Sequence, residues 1–378
     1  MDFSFTEEQQ AVSDLAKHIL EAEVTPDRLK ELSAGTERFD RRTWGELAKA
    51  NLLGLSLPED AGGSGLGFVE TCLVLEQVGR TVALVPVLAS IVMGALPIAE
   101  FGSSAQRARW VPAAATGDVV LSAALVEVGT TFEQPTTAAR RAPDGAGWVL
   151  DGVKVCVPYG GVADAILVPA STGPDGSTGV FIVDPKAPGV TLEALDTTSG
   201  QPESRLELSG VTVDASDVLG DPAGGAAIVE WIGERAMTAS CVITVGVCAE
   251  ALRLTAEYTK TREQFDKPIA SFQAVGQRAA DAYIDTEAVR LTAWQAAWRL
   301  AEGRPSAEQV AIAKFWAADG GQRVVHAAQH LHGGIGVDRD YPLHRYFLWA
   351  KQLELTLGGS TAQLLRLGEM MASEPAPA

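Results

Sequence analysis

The stretch YTKTREQFDKPIASFQ, residues 258–273, interrupts a long run of helical spacing and then lets it resume. Asp266, Lys267 and Pro268 make the break: Asp favours a turn, and Pro lacks the N–H that a helix interior needs. Similar breaks recur at residues 303–305 (Gly-Arg-Pro) and at the glycines of 333–336. Residues 223–372 thus hold four long stretches with apolar residues at helical intervals, which predicts an antiparallel four-helix bundle. Upstream, over residues 119–222, the period shortens. Apolar runs at 148–150, 165–168, 180–183 and 206–208 are punctuated by Gly, Pro, Asp and Thr, the texture of a middle β domain. Residues 1–118 return to helical spacing: Thr6 stands as an N-cap before Glu7, Glu8 and Gln9, and Ala11, Leu15, Ile19 and Leu20 follow. The predicted fold is α+β: an N-terminal helical domain, a middle β domain and a C-terminal four-helix bundle. Residues 373–378 read as a disordered tail.

The 378 residues are 47% hydrophobic with a mean hydropathy of +0.10, enough to bury a sizeable core. Thirty basic against 48 acidic residues give a net charge of −18, which repels phosphate backbones and anionic lipid surfaces. Nucleic acid and membrane are therefore not expected as partners. The opening MDFSFTEEQQ lacks the basic region and apolar run of a secretory signal. The apolar stretch 82–99 is broken by Pro86 and Pro97 and is too short to span a bilayer. Cys72, Cys156, Cys241 and Cys248 form no CxxC pair, so they are expected as reduced, mostly buried thiols in a cytoplasmic protein. Cys241 and Cys248 stand seven apart and are expected on one buried helix face. His326 and His330 have the i, i+4 spacing of metal ligands, but Ala327 follows the first and no third ligand is evident, so no metal is expected. PEDAGGSGLG, residues 58–67, follows no strand and reads as a loop, not a phosphate cradle.

Five segments give the chain a family likeness: PEDAGG from Pro58, VLEQVGR from Val74, WVLDGVK from Trp148, REQF from Arg262 and LHGGIGVDRDYPLHRY from Leu331. In this order and spacing they resemble the acyl-CoA dehydrogenase family. That resemblance implies FAD as cofactor, a glutamate that takes the α proton of an acyl-CoA, and a flavin that takes the β hydride. It also implies a divided flavin site, in which the cofactor sits on the β domain of one subunit and reaches into a neighbour's bundle. The neighbour's residues match Arg262 and Phe265, with the amide of Gln273 near the latter. The second neighbour element is a glycine turn matched by His330, Gly333 and Gly334. A guanidinium suits pyrophosphate because it stays charged and forks two hydrogen bonds, and glycine permits close backbone approach.

The same likeness marks departures. At LTLGGSTAQ, residues 355–363, the position of the family's catalytic glutamate holds Gly358, and the glutamine position matches Ala362. The tryptophan and hydroxyl residue that face a subunit's own flavin are replaced by Cys156 and Pro158. The preceding loop reads VEVGTTFEQ, residues 126–134, and lacks the flavin-facing serine. Contacts to a subunit's own flavin are lost while contacts to a neighbour's flavin are kept. The chain therefore resembles the non-catalytic subunit of α2β2 acyl-CoA dehydrogenases of actinobacterial steroid side-chain degradation. A paralogous catalytic partner would hold the flavin ring, most of the acyl-CoA and the base, with an electron-transfer flavoprotein as acceptor. Two alternatives stand beside it, a flavin-free scaffold and a self-sufficient homotetramer with Glu234 as base. Counted back from Gly246, Glu234 falls two residues early, a rotation of about 200° on an ideal helix, so it would need a local insertion to restore its register.

Overall fold

The computed structural model describes residues 4–143, 145–173 and 176–373. The chain falls into two compact units, one built from Lys30–Thr71 and Leu84–Ala236, the other from the remaining described chain.

The first unit is centred on an eight-stranded sheet. Its strands are β1 (Leu121–Ala123), β2 (Ala138–Arg141), β3 (Gly147–Pro158), β4 (Ala165–Ser171), β5 (Thr178–Val183), β6 (Val190–Leu195), β7 (Glu203–Asp214) and β8 (Val218–Leu219). They run in the order β6-β7-β3-β2-β4-β5-β8, with β1 parallel to β4. Along β7 the side chains of Ser204, Leu206 and Leu208 turn inward at every second residue. The period then slips by one, and Val211 and Val213 still face the core. Gly210 makes the slip possible: its φ is +63°, and its N–H donates to Asp151 Oδ1 at 2.8 Å where β3 and β7 change register. Trp148 meets Phe181 edge to face at 5.5 Å inside this core.

Helices of the same unit include the latter part of α2 (Pro26–Ala34), α3 (Arg41–Lys49), α5 (Leu96–Phe101) and α6 (Ser104–Ala115). Trp44 Nε1 donates to the Gly117 carbonyl at 2.9 Å, and the Gln106 amide donates to the carbonyls of Ser216 and Val218. The apolar stretch at 82–99 is a nine-residue π-helix, Val87–Ala95, followed by α5, with Pro97 accommodated in the first turn. The wider turn lays Gly94 against Leu121, where a Cβ would come within 2.4 Å of the leucine Cβ. The loop expected at 58–67 is one, with a short 3₁₀ turn at Glu59–Ala61.

The second unit is helical: α1 (Glu7–Glu23), most of α4 (Phe68–Thr81) and of α7 (Gly225–Thr261), then α8 (Gln273–Ala301), α9 (Ala307–His332), α10 (Leu343–Leu355) and α11 (Ser360–Ser373). Thr6 caps α1 in a capping box with Gln9. The fourth bundle stretch is two helices, α10 and α11, parted at residues 356–359. Ser373, expected in the tail, still belongs to α11, and residues 374–378 lie outside the described residues. Where α4 crosses α7, glycines are obligatory: a Cβ on Gly246 would lie 2.0 Å from the Glu76 carbonyl oxygen, and one on Gly79 would lie 2.1 Å from that of Ile243. Cys72, Cys241 and Cys248 are buried and Cys156 is exposed, all as free thiols. Among the described residues α7 alone is long and apolar enough to cross a membrane, and 72% of its most apolar window is buried in the fold.

Candidate functional site

α7 ends at Thr261, and a minimal hairpin follows, β9 (Glu263–Gln264) paired with β10 (Lys267–Pro268). Gln264 pairs with Lys267, which leaves Phe265 and Asp266 as the two loop residues, with φ of +56° and +61°. Two-residue hairpins favour positive φ at both loop positions, which is why Asn-Gly is their usual sequence. A phenylalanine held there carries strain of about 1–3 kcal/mol. Its ring is 86% exposed and touches only the edge of Phe272 at 6.1 Å among the described ring contacts. Lys267 Nζ lies 4.5 Å from the Phe272 ring centre. Arg262 anchors the hairpin by its backbone: its N–H donates to Tyr258 at 2.8 Å, and its carbonyl accepts from Ile269 at 2.8 Å. The Arg262 guanidinium is left exposed, as is Gln273 at the first position of α8.

The glycine turn follows α9. Gly333 takes φ +64° as the helix closes, and a 3₁₀ turn runs over Gly333–Val337. A Cβ on Gly333 or Gly334 would meet nothing within 4 Å, so both glycines border open space. At Gly336 a Cβ would press on His332 Cβ at 3.1 Å and the Gln329 carbonyl at 3.2 Å. His330 and His326 are exposed, the latter edge-on to Phe347 at 4.9 Å. Among the described residues no group of three or more potential metal ligands gathers around them or elsewhere.

The hairpin and the glycine turn are joined by residues that the motifs contain but do not single out. The ring of Tyr258 stacks on that of His332 at 4.4 Å and 19°, and Tyr341 packs against both at 6.4 and 5.2 Å. His332 Nδ1 lies 2.8 Å from the Ala328 carbonyl, which can only accept, so Nδ1 carries the proton. Nε2 then accepts from the Tyr341 hydroxyl at 3.1 Å. Burial lowers the His332 pKa below its usual value, and the bond to Ala328 opposes this only in part. Arg262 stands one turn beyond Tyr258 and Gly333 directly follows His332. The stack therefore brings Arg262, Phe265, Gly333 and Gly334 to the same end of the bundle.

The segment where a base is expected is shaped without one. α10 closes at Leu355; Leu357 and Gly358 follow with φ of +55° and +95°. Lys314, 1% exposed, reaches from α9 to cap α10, donating to the carbonyls of Leu353 at 2.6 Å and Glu354 at 3.2 Å. Burial draws its pKa down to about 8, with Cys241 and Glu354 opposing. Ala362 is exposed. It is Gln363 that is buried and donates its amide to the carbonyls of Leu357 and Gly358 at 3.3 and 3.4 Å. The carboxylate of this segment, Glu354, is paired with Lys351 at 2.5 Å. In the other unit, Glu234 is half-buried, and α7 continues unbroken from Gly225 to Thr261, so no insertion resets its register. Arg235 beside it lies over the Trp231 ring at 3.5 Å; burial lowers its pKa to about 10, with Glu234 and Glu100 opposing.

At the far end of β3, Cys156 adopts φ +53° at a bulge, with Pro158 two residues on. Partial desolvation of its sulfur first, and then Glu203, push the Cys156 thiol up to about 11, so it stays protonated although the residue is exposed. The loop before β2 is pinned by Glu127, which accepts from Lys154 Nζ at 2.6 Å, from the Thr136 N–H at 2.6 Å, from the Thr137 N–H at 3.0 Å and from both threonine hydroxyls. Burial raises its pKa, but the Lys154 charge and these hydrogen bonds outweigh that and hold it at about 2. A thiol offers little stacking surface and a proline no N–H donor, so this edge does not fit a flavin ring. The exposed cation, aromatic ring and open glycines at the bundle end do fit a pyrophosphate and its adenosine.

Three family profiles match the chain: acyl-CoA dehydrogenase, N-terminal domain, over residues 6–118; middle domain, over 126–211; and C-terminal domain, over 227–372. Acyl-CoA dehydrogenase FadE27 of Mycobacterium tuberculosis is 44% identical over 384 residues, covering 100% of both chains. The ChsE4-ChsE5 complex of Mycobacterium tuberculosis contains a chain of the same fold, with TM-score 0.93, 44% identity and 100% coverage of both chains. A chain of the Tcur3481-Tcur3483 steroid ACAD, in a variant form, superposes with TM-score 0.90 at 44% identity over 97% of this chain and 98% of that one.

Proposed function

The chain belongs to the acyl-CoA dehydrogenase family, oxidoreductases acting on CH–CH bonds, and from that premise we propose that it is the non-catalytic subunit of a heteromeric enzyme. In this reading a paralogous partner holds the flavin ring, binds most of the acyl-CoA and supplies the base. This chain grips the far end of the partner's FAD. When bound, FAD supplies the acceptor for the substrate's hydride. Arg262 forks onto the pyrophosphate, Phe265 covers apolar cofactor surface, Gln273 offers an amide, and His330, Gly333 and Gly334 let the backbone come close.

One observation carries the reading: contacts of the two kinds are divided. Cys156, Pro158 and the carboxylate-free turn at residues 357–359 leave this chain no means to use a flavin of its own. Arg262 and Phe265 stand exposed, on a strained hairpin that has no evident purpose within the chain. Similarity to chains of two paired assemblies, one of them a steroid ACAD, supports a partner subunit and a steroid-CoA substrate. An electron-transfer flavoprotein as acceptor and a cytoplasmic location complete the proposal.

The test is flavin content and mass, for the chain alone and co-purified with its candidate partner. One FAD per heterodimer and none on the chain alone is the expected result. A yellow homotetramer that oxidises acyl-CoA unaided would overturn the reading and return attention to Glu234.

A further inference from the structure

With 48 acidic residues against 30 basic ones, an arginine in this chain has carboxylates to choose from. Most arginines take a carboxylate, a carbonyl or a ring. Among the described residues, the guanidiniums of Arg262, Arg278 and Arg339 alone have none, and all three residues are exposed. They lie at one end of the bundle. Arg262 directly follows α7, Arg278 is in the second turn of α8, and Arg339 is in the connection from α9 to α10.

The placement of Arg278 is the more informative. Ala282, Thr286, Val289 and Ala293 are buried and mark the stripe of α8 that faces the other helices. At 100° per residue Arg278 falls about 40° from Ala282, one turn nearer the helix start and on that inward stripe. Ala282 packs with Cys248 and Leu252 of α7 and with Val324 and Ala327 of α9. α8 and α9 are antiparallel, so one turn takes α8 from Ala282 to Arg278 while it takes α9 from Ala327 to His330. Arg278 therefore stands level with the last turn of α9, beside the glycine turn. Arg339 comes from the other limb of that turn. Tyr341, two residues on, is fixed in the stack with Tyr258 and His332, and two residues span at most about 7 Å.

We propose that Arg278 and Arg339 are further cofactor-binding residues, which close with Arg262 around the pyrophosphate of the partner's FAD. The assignment rests on the heteromer proposed above. A chain of net charge −18 repels a diphosphate at long range, so cations not engaged by carboxylates are needed to receive one. A guanidinium forks onto one phosphate, and two phosphates call for more than one fork. Gly333 and Gly334 leave the space beside them open, as a Cβ on either would meet nothing within 4 Å.

The experiment is FAD titration of the complex, with thermal unfolding of the same variants. Arg278→Ala and Arg339→Ala are each expected to weaken FAD binding about tenfold. Unfolding of the cofactor-free chain should not move, because neither guanidinium has a partner in the chain to lose. Arg278→Lys, which keeps the charge without the fork, should recover only part of the affinity. Lys260→Ala removes a cation at the same end that Glu257 already engages, and it should change FAD affinity less than twofold. A loss from Lys260→Ala as large as from Arg278→Ala would reveal a general field and overturn the assignment. Wild-type affinity in both arginine variants, with FAD lost on Arg262→Ala, overturns it and leaves the heteromer standing. FAD retained on Arg262→Ala as well brings down both.

Discussion

The hairpin end of the bundle and the Glu127 loop of the β domain spend their polar groups in opposite ways. Around Glu127 every strong interaction is turned inward, where Lys154, Thr136 and Thr137 satisfy one carboxylate among themselves. At the hairpin the arginine and the phenylalanine are turned outward, and the backbone takes a strained form to keep them there. The first arrangement stabilises the chain that contains it; the second lowers that chain's stability and gains only from something outside it. This contrast separates structural from binding residues more clearly than residue type does, since an arginine and a glutamate are each common in both roles.

The contrast can be broken by experiment. Glu127→Gln should have the largest effect, because it leaves the Lys154 ammonium buried without its counter-charge; about 3–5 kcal/mol of stability is lost. Chemical denaturation measures it, and the surviving folded complex should still hold one FAD per pair. Arg262→Ala should do the reverse: stability within about 0.5 kcal/mol of wild type, and FAD affinity of the complex reduced about 100-fold, the equivalent of about 3 kcal/mol in charge-assisted hydrogen bonds. Loss of FAD from the first variant, or its retention by the second, would collapse the distinction.

Two smaller effects sharpen it. His332 has a folded-state pKa below the ordinary 6.5, so the unfolded chain takes up its proton first. Stability is then lost as pH falls below about 6.5, at no more than about 1.4 kcal/mol per pH unit, and FAD binding should weaken in parallel. His332→Gln should flatten that part of the pH profile of FAD titration. Phe265→Asn, a residue that tolerates positive φ, should stabilise the isolated chain by about 1 kcal/mol while weakening FAD binding by the complex. A variant that gains stability and loses affinity marks strain held for a partner.

What the sequence made legible followed local rules. The Thr6 capping box, the loop at 58–67, the strand run at 206–208 and the break at 266–268 each depend on residues within a turn or two of one another. The π-helix at Val87–Ala95 was hidden because Pro86 and Pro97 mark its flanks but nothing in the run itself favours the wider turn over an α-helix. The parting of α10 from α11 was hidden for a different reason: Leu357 at positive φ runs against its propensity, and the capping lysine comes from α9, 39 residues away from Leu353. The candidate site divides likewise. Arg262, Phe265 and the glycines were readable as motifs, whereas the Tyr258–His332–Tyr341 stack joins two segments far apart in the chain, and only folding brings its rings into register.

Lys314 gives the α9–α10 contact a chemical clock. An amine is acylated only when a reagent can reach it, and burial together with its bonds to the Leu353 and Glu354 carbonyls keeps reagents from this one. Its acylation in native protein would therefore report how often the end of α10 lifts away, a rate that amide exchange would read from the same opening. Surface lysines would label in the first moments and this one on the timescale of breathing, so a single peptide in a labelling time course could follow how firmly the turn at residues 356–359 is held.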